Sequence, residues 1–106
     1  MRKKEKEMNK LITLEQAEKV INNLPEEFTS QDFLEKYRDL YEMEYLKGLM
    51  YYAIGKTEGV FRTYHSRVAL FLSLNKRRLH IMEVEKIRSK NIKGNITKNQ
   101  NWKKQH

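Results

Sequence analysis

Apolar residues recur at helical spacing along the first three quarters of the chain, and after residue 80 the period shortens. Leu14, Ala17, Val20, Ile21 and Leu24 fall at intervals of three and four, the signature of one helix face. Thr13 stands before them with Gln16 three residues on, a capping box in which each side chain satisfies the other residue's backbone N–H. Asn22, Asn23 and Pro25 close this helix. A second start lies at Thr29, with Asp32 at the third helical position and Phe28 placed to staple onto Phe33. Phe33, Tyr37, Leu40 and Tyr41 then line one stripe. Helical propensity continues from Glu42 to Ile54, but beyond residue 44 nearly every position is apolar. That pattern predicts either one long helix buried all round or a bend near Tyr41–Glu44. Gly48 would allow close packing, and Gly55 and Gly59 bracket a loop. A third helix is expected from about Thr63 to Asn75, burying Val60/Phe61, Tyr64, Val68, Phe71, Leu72 and Asn75, with Lys76-Arg77-Arg78 suited to its C-terminus.

The pattern then changes to an extended one. Ile81, Met82, Val84, Ile87 and Arg88 read as a strand of irregular alternation. Asn91-Ile92-Lys93-Gly94-Asn95 is a turn cluster, and Ile96, Thr97, Asn99 and Trp102 suit a returning strand. A lone tryptophan in a polar stretch needs a reason to be there, and Trp102 is expected to anchor the hairpin onto the body. The fold class predicted is mainly α with a small β-hairpin (α+β). One domain over 11–104 follows a disordered basic arm over 1–10.

Composition narrows the chemistry. The chain has 106 residues and no cysteine, which excludes a disulfide framework and a cysteine-based zinc site. No run of 18 or more residues is apolar enough for a membrane span, and the charged start Met1 to Lys10 lacks the apolar stretch of a signal peptide, so a cytoplasmic location is expected. The four glycines are isolated, leaving no phosphate loop. Neither a Gly-x-Ser-x-Gly elbow nor a cysteine nucleophile is present, and His65, His80 and His106 stand at no metal-ligand spacing. The carboxylates are mixed with lysines on helix positions, and Glu15/Lys19 and Asp32/Lys36 read as i,i+4 pairs. No catalytic residue, metal, cofactor or small-molecule substrate is expected.

The net charge of +8 is unevenly spread. Residues 13–54 carry nine Asp/Glu against four Lys/Arg, and residues 76–106 carry ten Lys/Arg against two Glu. Such segregation suits contact with a polyanion, and equally a solvated basic tail. Within it, Arg62, Thr63, His65, Ser66 and Arg67 open the third helix with residue types that reach phosphates and base edges. Lys86, Arg88, Lys90, Lys93 and Lys98, with Asn91 and Asn95, would flank the hairpin tip, where a basic wing can follow the backbone or enter the minor groove. The tyrosines at 37, 41, 45, 51, 52 and 64 could stack on single-stranded bases, although the i,i+4 spacing of 37, 41 and 45 inside an acidic segment favours core packing for those three.

Phe28-Thr29-Ser30-Gln31-Asp32-Phe33, closing one helix-strand unit and opening the next helix, resembles the start of the helix-turn-helix unit in winged-helix DNA-binding proteins, and Asn91–Asn95 running on to Trp102-Lys103-Lys104 looks like the wing and its return strand. The resemblance covers residues 11–104. It implies a three-helix core with a two-stranded wing, a first strand in a short extended piece at this segment, a recognition helix at 62–75, a wing tip at 89–97 and double-stranded DNA as partner. A transcriptional regulator or mobile-element accessory factor would fit. The stretch from Ser30 to Ile54 is longer than a usual second helix, which leaves open whether Glu44–Ile54 or Thr63–Asn75 enters the groove; Glu42 and Glu44 argue for the latter. The rival expectation is a protein-interaction domain or homodimer using the apolar segment 45–54.

Overall fold

The computed structural model describes residues 12–54, 58–90 and 96–105, with side chains described over 12–54, 58–84 and 100–105. The elements are α1 (Leu14–Asn22), β1 (Glu27–Thr29), α2 (Ser30–Leu40), α3 (Glu42–Ala53), α4 (Val60–Leu74), β2 (Ile81–Lys90) and β3 (Ile96–Lys104). The protein is thus mainly α with a small antiparallel sheet, and among the described residues four helices rather than three precede the hairpin. The expected arm over 1–10 and the loop glycine Gly55 lie outside the described residues.

Local chemistry starts the first two helices as the sequence predicts. Gln16 N–H donates to Thr13 Oγ1 (3.1 Å) while Thr13 N–H donates to Gln16 Oε1 (3.0 Å). Asp32 N–H donates to Thr29 Oγ1 (3.0 Å) and Thr29 N–H to Asp32 Oδ2 (2.9 Å). Thr29 therefore both ends β1 and caps α2. The flanking Phe28 and Phe33 are both in the core. The two expected i,i+4 ion pairs do not form: Asp32 is spent on the cap, and the Lys19 ammonium lies over the Tyr41 ring at 5.8 Å.

Between residues 30 and 53 the helix breaks. Tyr41 leaves helical geometry (φ −134°, ψ 58°), its N–H bonding back to Tyr37 C=O and its C=O accepting from Tyr45 N–H. One residue closes α2 and opens α3. The break swings α3 onto α4, where Tyr45, Gly48 and Tyr52 are buried beside Tyr64 (Tyr45 and Tyr52 rings 5.4 and 5.9 Å from it). A Cβ on Gly48 would stand 2.6 Å from Tyr64 Cε1 and closer still to Cζ, so glycine is what permits this helix crossing. α4 begins at Val60, three residues before the expected start, from a left-handed Gly59 (φ 75°) whose C=O accepts from Thr63 N–H. Of its expected buried face, Tyr64, Val68, Phe71, Leu72 and Asn75 are buried, while Phe61 is 39% exposed.

The sheet has strand order β1-β3-β2, all antiparallel. Glu27 stands opposite Lys103 and Ile81 opposite Lys104, so the last strand is the central one. Between Val84 and Ile87 the register shifts by one residue. Two residues of β2 thus stand opposite one of β3, a bulge that interrupts the two-residue period of a strand and matches the irregular alternation in the sequence. Trp102 is completely buried, and its indole N–H donates to Ser30 Oγ at 3.0 Å, so the expected anchor ties β3 to the first turn of α2.

Candidate nucleic-acid interface

The sequence pattern places five candidate residues at the start of α4, and the structure divides them. At 100° per residue, Tyr64, Val68 and Phe71 fix the inner side of the helix. The opposite side carries Arg62 and Ser66, both exposed, with half-buried Ala69 and Ser73 continuing the same line. Thr63 is half-buried beside them. Small residues below an arginine allow a helix to approach a flat or grooved surface closely.

His65 is not on that side. It turns towards α3, with Nε2 2.9 Å from the Tyr45 hydroxyl and its ring against Phe61, Tyr64 and Tyr45 at 5.7, 6.0 and 6.1 Å. It joins two helices and is not presented to a groove. Arg67 lies about 140° around the helix from Arg62. It is half-buried, and its Nε is buried without a hydrogen-bond partner among the described residues. The five candidates therefore resolve into an outward pair (Arg62, Ser66), a half-buried threonine, a histidine turned onto α3 and a flank arginine. Sequence reading grouped them because all five lie off the main apolar stripe; only the position of α3 shows which of them it covers.

Of the hairpin candidates, Arg88 and Lys90 lie on β2 and Lys98 on β3, Arg88 standing opposite Lys98 across the ladder. The side chains of Lys86, Arg88, Lys90 and Lys98 are outside the described ones, and Asn91, Lys93 and Asn95 lie outside the described residues.

Further cations stand past the C-terminal end of α4. Arg77 and Arg78 are exposed on the turn between α4 and β2. Buried Leu79 pins that turn, and its hydrogen bonds run from Leu79 N–H to Asn75 C=O and from Ile81 N–H to Lys76 C=O. Lys76 pairs with Glu83 (3.9 Å). Lys103 on β3 is exposed, whereas Lys104 donates to Leu24 C=O (2.7 Å) and serves the fold. The signal for the turn was present: one apolar residue, Leu79, set in a run of basic ones.

The tyrosines are mostly core. Tyr37, Tyr45, Tyr52 and Tyr64 are buried. Burial, with Glu44 nearby, pushes the Tyr37 hydroxyl up to about 12. Burial also pushes Tyr64 and Tyr45 upward. Among the described residues, no group of three or more His, Asp or Glu is placed to hold a metal ion, and no helix is long and apolar enough to cross a membrane. Comparison with protein-family models, curated proteins and solved structures finds no match.

Proposed function

We propose that this protein is a non-enzymatic DNA-binding domain of winged-helix type. In this reading α4 is the recognition helix, β2 and β3 form the wing, and the role is that of a small transcriptional regulator or mobile-element accessory factor. The observation that carries the reading is the basic run from residue 76 onward, ten Lys/Arg against two Glu, following directly on a helix whose outward line is Arg62, Ser66, Ala69 and Ser73. The element order of helix, short strand, helices and hairpin supports it, as does the position of the carboxylate-bearing α3 outside that basic segment.

Arg62 and Ser66 would then meet base edges, with Thr63 beside them and Arg67 reaching a flanking phosphate. Arg77, Arg78, Lys90, Lys93 and Lys103 would neutralise phosphates without regard to sequence. His65 would act only by holding α4 to α3. Fluorescence anisotropy with random duplex DNA across a salt series tests this. With six or more phosphate contacts, affinity should fall roughly a thousandfold or more between about 50 and 200 mM salt. Arg62→Ala should change sequence preference, while Lys90→Ala and Lys93→Ala should weaken all sequences alike. No binding at low salt would remove the proposal.

A further inference from the structure

α3 has two apolar faces, and the body covers one. Tyr45, Gly48 and Tyr52 turn inward. Met43, Leu46, Met50 and, at the C-cap, Ile54 turn outward and are 62%, 52%, 68% and 81% exposed, with Tyr51 beside them at 45%. These five are most of the large exposed hydrophobics among the described residues, and the first four fall within an arc of roughly 80°. Apolar side chains scattered singly need no explanation, but a continuous stripe of this kind marks a contact surface.

The spacing identifies the occupant. Positions 43, 46, 50 and 53 are Met, Leu, Met and Ala, the a and d positions of a seam between two helices. In that frame Glu42 is at g and Lys47 at e, one on each side of the stripe, both exposed. In a parallel pair, g of one helix faces e of the next heptad on the other, five residues further on. Glu42 therefore meets Lys47 of a second copy, and the two-fold axis repeats the pair. An antiparallel pair sets e against e and g against g, and offers these two charges no opposite partner.

We propose that α3 is the self-association helix of this protein, pairing in parallel with α3 of a second copy. Met43, Leu46 and Met50 meet their equivalents, Ile54 flanks the end of the seam, and crossed Glu42–Lys47 pairs set the orientation. The proposal is independent of nucleic-acid binding. A seam of barely two heptads buries less than the roughly 800 Å² per partner of a standard interface, so the dimer dissociates on dilution.

Sedimentation equilibrium of the full chain, from low micromolar to several hundred micromolar, tests it. The expected result is a monomer–dimer equilibrium that Leu46→Glu abolishes; the position is exposed, so circular dichroism and the thermal midpoint, both taken at concentrations well below Kd, stay unchanged. Lys47→Glu sets two glutamates together across each side and should raise Kd roughly tenfold at low salt. Adding Glu42→Lys to it should restore the original value. A monomer at all concentrations, or a dimer indifferent to Leu46→Glu, overturns the proposal. A dimer lost with Leu46→Glu but unmoved by the charge exchanges overturns the parallel arrangement.

Discussion

Gly48 leaves no room for one added methyl group. Its substitution by alanine gains up to about 1 kcal/mol of helix propensity, but the new Cβ meets a Tyr64 ring that is 1% exposed and cannot swing away. Overpacking of this kind costs about 1–3 kcal/mol, so Gly48→Ala should lower the chemical-denaturation midpoint. Gly59 is the contrary case: a Cβ there touches nothing, and only its positive φ resists substitution. The buried tyrosines make a second residue-scale prediction. The Tyr37 hydroxyl is held up at about 12 by burial, against about 10 in the unfolded chain. Below pH 10 both states are protonated and the stability is intact. Between pH 10 and about 12 the unfolded chain ionises first, so stability falls as pH rises. Urea unfolding at successive pH values should show this loss, and Tyr37→Phe should make it shallower. A denaturation midpoint flat through that range would count against the burial argument.

At the scale of elements, the packing of α2 on the sheet includes one buried side-chain hydrogen bond. Ser30→Ala leaves the Trp102 indole N–H buried with its acceptor removed, a cost of about 1–3 kcal/mol. Thermal unfolding should register it, with the helical signal of the folded state unchanged. The helix starts were legible because a capping box closes within four residues and needs nothing from the rest of the chain. The break at Tyr41 was legible only as one of two outcomes. A straight helix continuing from Ser30 to Ala53 would run about 36 Å and carry Tyr45 and Tyr52 away from Tyr64; packing against α4 decides for the bend.

For the whole molecule, the chain folds so that its final strand lies between β1 and β2. A chain ending at residue 95 would lose the central strand and Trp102 together, and circular dichroism should show it to be unfolded. The charge division has a matching consequence under the DNA-binding proposal. Each phosphate contact contributes about −0.9 to the slope of log affinity against log salt. Replacing both Arg77 and Arg78 by alanine should therefore make the slope shallower by about 2. An unchanged slope would place the phosphate contacts elsewhere on the basic segment.

What the amino-acid sequence determined by itself is what acts over short range or in bulk. The capping boxes at Thr13 and Thr29, the apolar faces of α1 and α2, the strand character after residue 80 and the acidic-to-basic division belong to this class. So does the anchoring of Trp102, because an indole among polar residues has little alternative to burial. Tertiary structure alone decided the strand order, the turning of His65 onto Tyr45 and which half of the apolar α3 stays open to solvent. Each depends on residues brought together from far apart in the chain, as when Glu27 meets Lys103. Such contacts form only where the core they bury offsets the entropy of closing a long loop, and no local spacing encodes that balance.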